Sequence, residues 1–249
     1  MQAKGRFGSQ TDIGLVRKSN EDKALSLIDA QGNILLCVCD GMGGYMKGDF
    51  ASKIAVDVIS AAFKGHIKWL FSFQVKLWIS KVVKSINASV FTESHNSEKF
   101  EGMGTTLCMA IFFKNKIYVT NIGDSRCYQL EKDKILALTK DQTYVQLLET
   151  MGKIDEQEKL TSKDRHALMN FVGQNKEVHY VLDVYKNDVK TIMLCSDGLY
   201  NNASEKQIFS VLDSTDRLDQ KINTLIGIAN SNGGSDNIAI SIWEPYKHD

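Results

Sequence analysis

The sequence predicts an α+β fold rather than a doubly wound parallel sheet. Two observations carry this. Segments of helical period come in pairs, and the strand-like runs between those pairs come consecutively instead of alternating one by one with helices. A third observation concerns the strand ends. Four short apolar runs (34–39, 116–122, 191–195 and 237–243) each adjoin an aspartate with glycine close by: Asp40-Gly41, Gly123-Asp124, Asp197-Gly198 and Gly233-Gly234-Ser235-Asp236.

In chain order, the first such run is Ile-Leu-Leu-Cys-Val-Cys at 34–39. Residues 49–63 then place Ile54, Val58 and Ala61 or Ala62 on one helical face. Residues 68–90 read as a second helix, with Phe71, Val75, Trp78, Val82 and Ile86 at spacings of three and four. Aromatic and aliphatic content at that period is core packing rather than a cofactor site. The polar stretch 94–101 reads as a loop. Strands are expected at 105–113, 116–121 and 126–130, separated by Lys114-Asn115 and Gly123-Asp124. Short helices at 144–151 and 155–160 flank Gly152. Strands at 178–184 and 191–195 are joined through Lys186-Asn187-Asp188, and helices follow at 204–212, behind a serine cap, and at 216–229. The segment 142–174 is rich in charge and poor in strand signal. It reads equally as a small subdomain or lid and as an exposed helical connection.

The composition narrows the functional classes. A length of 249 residues without repeats or linker-like stretches makes one domain the default. Lys+Arg 30 against Asp+Glu 30 leaves no net charge, so no global field attracts nucleic acid or an anionic membrane. The first eleven residues lack the apolar core of a signal peptide, and no apolar run is long enough to span a bilayer. Five cysteines without a Cys-x-x-Cys pair, four of them (Cys37, Cys39, Cys108 and Cys195) inside strand-like runs, read as reduced core thiols. A cytoplasmic monomer without membrane or nucleic-acid partners is therefore expected.

An acid at a strand end can point into a cleft, and an adjacent glycine lets backbone, metal or phosphate approach closely. Four such junctions in one chain suggest carboxylates converging on hard cations. The blocks that contain them occur in a fixed order: Thr11–Asp22 with Arg17, Glu21 and Asp22; Asp40-Gly41-Met42-Gly43-Gly44, followed by Gly48-Asp49-Phe50-Ala51-Ser52; Gly102-Met103-Gly104-Thr105-Thr106; Gly123-Asp124-Ser125-Arg126; Ser196-Asp197-Gly198-Leu199; and Ser235-Asp236-Asn237-Ile238. Each alone is a weak signal. Six in this order resemble the type 2C family of metal-dependent serine/threonine protein phosphatases in its bacterial form, over nearly the whole chain.

That resemblance implies a four-layer αββα sandwich of two antiparallel sheets flanked by helices, with a metal cleft at one end and the 142–174 segment as a flap beside it. It implies two Mg²⁺ or Mn²⁺ ions and a weaker third. Asp40 would bridge two ions, with the Gly41 carbonyl on one of them. Asp197 and Asp236 would hold the first ion and Glu21 the second. Asp22, counted with the metal residues, would position metal-bound water, and Asp124 with Asp197 would form the third site. Arg17 would grip the substrate phosphate. The implied reaction is hydrolysis of phosphoserine and phosphothreonine in proteins by a metal-activated water, opposite a bacterial Ser/Thr kinase. Carboxylates, carbonyls and water suit such hard ions, and attack by water needs no enzyme nucleophile.

The chain departs from the resembled pattern at four places. Met42 stands where many animal members carry a histidine general acid, so a water on the metal is the expected proton donor. Tyr45 and Gln142 replace histidines, and His166 replaces an asparagine. His66, His95, His179 and His248 read as surface or structural residues, and His166 alone is expected near the cleft. Asp12, Asn20 and Ser52 read as turn, cap or packing residues, Gly102–Thr106 as a tight entry into a buried strand, and Asn237 as orienting Asp236 or its loop. Two other readings compete. A pseudophosphatase binding module conflicts with the full acid set. A phosphodiesterase or nuclease conflicts with neutral charge and the lack of a basic, aromatic-interleaved stretch.

Overall fold

The computed structural model describes residues 4–43, 47–96 and 98–246, so Tyr45 and His248 lie outside the described residues. Two antiparallel sheets stack face to face. One has the order β1 (Gly5–Asp12), β11 (Ile238–Pro245), β10 (Ile192–Cys195), β7 (Arg126–Leu130) and β8 (Ile135–Ala137). The other runs β2 (Asp22–Ile28), β3 (Ile34–Met42), β5 (Leu107–Phe113), β6 (Lys116–Ile122) and β9 (Val181–Lys186), and the short β4 (Gly104–Thr105) pairs with β3.

Helices cover both outer faces. Helices α1 (Lys47–Lys64) and α2 (Ser72–Asn96) share a core with β3 and β5. Helices α6 (Glu205–Asp213) and α7 (Leu218–Ser231) share one with β10 and β11. Alternate residues of β3 separate cleanly: Leu35, Cys37 and Cys39 face the helices, whereas Ile34, Leu36 and Val38 face the opposing sheet. A strand buried on both faces must be apolar at every position, which is why these runs are continuous rather than alternating. The inter-sheet layer closes around Trp243, which is fully buried and packs at a tilt against Phe112, 4.8 Å between ring centroids. The expected αββα sandwich is therefore the observed one.

The differences from expectation lie where apolar signal is weak. Strands β1 and β2 escape the sequence reading because both are edge strands, mostly half-buried, with glycine and polar residues among their side chains. Helix α2 continues to Asn96, and a 3₁₀ turn covers Glu98–Phe100, where a loop is expected. The strand expected at 178–184 is displaced to β9, and a four-residue helix α5 (Asp197–Tyr200) opens on one of the aspartates. Segment 142–174 carries α3 (Tyr144–Thr150) and α4 (Glu156–Thr161), each capped by its own N-terminal side chain, Thr143 and Asp155. The isolated bridge Thr143↔Leu168 closes the segment on itself, and Thr105↔Val172 ties it to the rest. All five cysteines are free and buried.

The inter-sheet layer generates a stability prediction. Trp243→Ala removes the largest side chain of that layer and should cost about 3–5 kcal/mol, read as a lowered urea midpoint. An unchanged midpoint would contradict the packing described here.

Candidate metal centre

Antiparallel pairing brings the acid-bearing ends together. Asp22 opens β2 directly opposite Asp40 near the end of β3. Strand β6 ends at Ile122 opposite Leu107, so the Gly123-Asp124 turn falls at the same end. Cys195, the last residue of β10, pairs with Ile240 near the start of β11, which places Asp197 beside Asp236. The result is a cleft of ≈ 230 Å³ lined by Arg17, Glu21, Asp40, Gly41, Asp124, Asp197 and Asp236, with Met42, Thr106, His166 and Asn237 among the remaining wall residues. Seven of the eight residues expected at the site thus line it, and Asp22 stands behind its wall.

Each acid is held by identifiable neighbours. The Asp40 amide donates to Thr106 Oγ1 at 2.9 Å, and the Asp40 carbonyl accepts from the Thr106 amide at 2.8 Å and Thr105 Oγ1 at 3.0 Å. Thr106 is itself hydrogen-bonded to Ser125 at 2.6 Å. Gly41 packs backbone to backbone against Gly48, and a side chain at either position would collide with the other's carbonyl group. The Glu21 amide donates to Asn237 Oδ1 at 2.8 Å, and the Glu21 carbonyl accepts from Ser52 Oγ at 2.6 Å. Asn237 also donates its side-chain amide to Ile13 and Ser19 carbonyls, both at 2.9 Å, and its backbone amide to Asp236 Oδ1 at 2.8 Å. Asn237 and Ser52 therefore position their neighbours, as expected of them.

Behind Asp124, Arg126 grips Asp141 through two hydrogen bonds, at 2.9 and 2.7 Å, and lies 3.6 Å over the Tyr200 ring. The Tyr200 hydroxyl donates to the Asp124 carbonyl at 3.1 Å. Gln142 Oε1 accepts from the Gly123 amide at 3.2 Å and from Asn170 at 2.6 Å, while its amide donates to Asn121 at 3.1 Å. Gln142 thus ties the Asp124 turn to the base of the 142–174 segment.

The electrostatics are those of crowded anions. Burial first, then the charges of Asp22, Asp197, Asp124 and Asp236, push Asp40 well above the usual carboxylate range. Burial lifts Asp22 to about 7 despite a 2.6 Å hydrogen bond from Ser196 Oγ. Asp124 is also pushed to about 7, by burial and then by Asp197. Asp197 Oδ1 is buried without a hydrogen-bond partner among the described residues. An orphaned buried oxygen within a ring of oxygen donors fits a hard divalent cation, which would satisfy that oxygen and relieve the repulsion.

Arg17 is half exposed at the rim and donates to Asp236 Oδ2 at 2.7 Å. His166 reaches in from the 142–174 segment, its Nδ1 3.4 Å from Asp197 Oδ2. The hydrogen bond to Asp197 raises its pKa most, and burial opposes the shift. Ligand atoms of Asp124, His166 and Asp197 lie within 4.8 Å of one another.

Ser196 and Asn201 carry no role in the sequence patterns, and Thr106 is marked there only as part of a tight strand entry. Ser196 and Thr106 stand inside motif blocks, but their hydroxyl contacts are long-range and invisible in spacing. Asn201, which donates to Asp197 Oδ2 at 3.1 Å, was findable as the i+4 neighbour on a helix. Ser196 generates a test. Its hydroxyl donates to Asp22 and accepts from the Ala239 amide at 2.8 Å, so Ser196→Ala leaves two buried groups unpaired. Such groups cost about 1–3 kcal/mol each, and urea denaturation should show a clear loss of stability. No loss would mean that the Asp22 support is dispensable.

Known proteins resemble this chain in sequence and in fold. The family model described as Protein phosphatase 2C matches residues 16–236. The serine/threonine phosphatase stp of Listeria innocua is 32% identical over 238 residues, 94% of each chain. The solved serine/threonine phosphatase of S. agalactiae superposes with a TM-score of 0.91 at 27% identity, covering 96% of this chain and 99% of that one. The catalytic domain of the serine threonine protein phosphatase PstP, solved in complex with 2 manganese ions, matches with a TM-score of 0.83 at 28% identity, covering 96% and 97% of the two chains.

Proposed function

The chain belongs to the protein phosphatase 2C family, and from that premise we propose how its own residues carry out the reaction. It is a metal-dependent serine/threonine protein phosphatase acting on phosphorylated proteins. The observation that carries the assignment of residues is the convergence of Glu21, Asp40, Asp124, Asp197 and Asp236 on one cleft with Arg17 at its rim.

Asp40 and the Gly41 carbonyl would help to hold a two-ion centre. Asp197 and Asp236 are assigned to the first ion, Glu21 to the second, and Asp124 with Asp197 to a weaker third. Mg²⁺ or Mn²⁺, when bound there, offsets the carboxylate charge, screens the phosphoryl oxygens and lowers the pKa of water. Asp22 acts from behind the wall, holding the Asp40 strand end through its neighbours rather than touching substrate. Arg17 presents a planar fork suited to two phosphate oxygens. Its 2.7 Å bond to Asp236 pre-orients the guanidinium at the cleft mouth. Met42, in the cleft wall, carries no proton to give a leaving alkoxide.

The chain reads as one catalytic domain over residues 1–249, with 142–174 as a flap that sets substrate choice. His166 and Leu168 of that segment line the cleft, which supports this reading. We place the protein in the cytoplasm as a monomer opposing a bacterial Ser/Thr kinase. Five buried, unpaired cysteines are consistent with a reducing compartment. Among the described residues no helix is long and apolar enough to cross a membrane. No observation favours a module without turnover, since every expected ligand position is present.

Phosphate release from a phosphothreonine peptide tests the assignments. It should require Mn²⁺ or Mg²⁺ and fall by about three orders of magnitude in Asp40→Asn, the loss of roughly 4 kcal/mol of transition-state stabilisation. Asp124→Ala should recover activity as Mn²⁺ is raised. A separate comparison concerns Arg17→Lys, which should raise KM by roughly tenfold because one ammonium replaces a two-point grip. Metal-independent turnover, or an Asp40→Asn rate equal to the parent, would sink the scheme.

A further inference from the structure

At the end of the sandwich opposite the cleft, the α1–α2 connection carries a dense group of exposed apolar side chains. Ile67 is 89% exposed, Phe73 63%, Phe71 59%, Leu70 53% and Leu77 51%. Five large apolar residues exposed within eleven positions form a patch of the kind that marks an interaction surface.

The loop is firmly anchored, so this exposure is built in. Trp69 is turned inward and buried, its ring 4.1 Å from His66, 5.6 Å from Trp78 and 6.0 Å from Phe113. Gln74 Oε1 accepts from the Leu70 and Phe71 amides at 2.6 and 2.9 Å, and Lys114 Nζ donates to the Leu70 carbonyl at 2.7 Å. Phe71 and Phe73 stack on each other at 5.9 Å while both face solvent. With Trp69 as a plug, its neighbours are held outward.

The exposed charge around this tip is one-sided; the Asp29 carboxylate, which meets His66 at 3.1 Å, is buried. From 58 to 92 the sequence contains Lys64, Lys68, Lys76, Lys81 and Lys84 and no acid. Lys76, Lys81 and Lys84 share the exposed face of α2 with Phe73 and Leu77. Among the described residues, Lys68, Lys76, Lys81 and Lys84 make no ion pair. A shallow depression beside Phe73 adds Lys116 and Lys186, the latter paired with Asp188 at 2.9 Å. Zero net charge over the whole chain conceals this local excess.

We propose that this face docks on the surface of an anionic lipid bilayer, with Ile67, Leu70, Phe71 and Phe73 entering the interface and the lysines meeting acidic headgroups. Exposed aromatic and aliphatic side chains ringed by lysine are the combination that binds such surfaces. Two copies of the same lysine-rich face would repel each other, which disfavours self-association through it. The orientation is compatible with catalysis. Helix α1 starts beside the cleft at Gly48 and ends at Lys64 near the patch. Its 18 residues place the two sites roughly 27 Å apart at about 1.5 Å per residue, so a docked protein keeps its cleft open to the aqueous side. This proposal departs from the expectation of no membrane partner, which rested on zero net charge and the lack of a bilayer-spanning apolar run, neither of which excludes docking on a bilayer surface.

Sedimentation of the full chain with vesicles of phosphatidylglycerol and phosphatidylcholine tests it. The protein should pellet with the mixed vesicles and not with phosphatidylcholine alone. The double variants Phe71→Ser/Phe73→Ser and Lys76→Glu/Lys81→Glu should each weaken partitioning by at least roughly tenfold. Both should leave phosphate release from a soluble phosphopeptide unchanged, which confirms that they fold. Three results would overturn the proposal: no binding of the parent to anionic vesicles, equal binding by the variants, or a parent dimer in sedimentation velocity that the phenylalanine variant dissolves. Binding to polyglutamate but not to vesicles would assign the face to an acidic protein instead, and would equally overturn it.

Discussion

Mutual repulsion among carboxylates governs the organisation of one end of this molecule. Asp22 and Asp40 face each other across a strand pair, where like charges ordinarily destabilise a sheet, and Asp124, Asp197 and Asp236 add to the same field. Left mobile, these side chains would separate into water. They are kept together because their backbones are held elsewhere: Asp40 by Thr106, Glu21 by Asn237 and Ser52, Asp22 by Asn20, and the Asp124 turn by Tyr200 and Gln142, while Ser196 holds the Asp22 carboxylate itself. The repulsion becomes useful as affinity, since whatever cation enters the cleft gains the energy that the fold has withheld from the acids.

Such a cleft needs a rigid frame, and the three apolar layers provide it. Each central strand is buried on both faces, so neither sheet can slide without breaking contact with helices on one side and its partner sheet on the other. Strand ends are consequently fixed relative to one another, and residues separated by about two hundred positions can be aligned within hydrogen-bond distance. The Arg17–Asp236 and Asn237–Glu21 contacts are examples. The same rigidity extends to the far end, where Trp69 is locked into an aromatic box and its neighbours are left facing solvent.

Legibility in the sequence followed burial. Strands β3, β5 and β10 announce themselves because two buried faces demand unbroken apolar runs, and β6 and β11 because Thr120, Asn121 and Ser241 interrupt otherwise apolar stretches only briefly. Edge strands β1 and β2 are mostly half-buried, so their pattern is diluted with polar residues and glycine. The site was readable for a related reason. Acids beside glycine at the ends of buried strands are expensive to place, so their recurrence signals a cleft. The supporting hydroxyls of Ser196 and Thr106 carried no such mark, because serine and threonine are ordinary turn and strand residues until a distant partner is known.

The sequence by itself determined the class of the fold, the placing of acids at strand ends and the order of their blocks along the chain, since local apolar period and motif chemistry are properties of short segments. Only the tertiary structure decided which acids line the cleft and which stands behind it. Asp22 and Asp40 look alike in the sequence, but strand register buries Asp22 against Ser196 and leaves Asp40 in the cleft wall. It also decided that His166 meets Asp197 and that a neutral chain carries a lysine-rich apolar face. The lysine excess of 58–92 is itself local, but register, packing and the exposure of that face arise from contacts between residues far apart in the chain, and no local pattern encodes them.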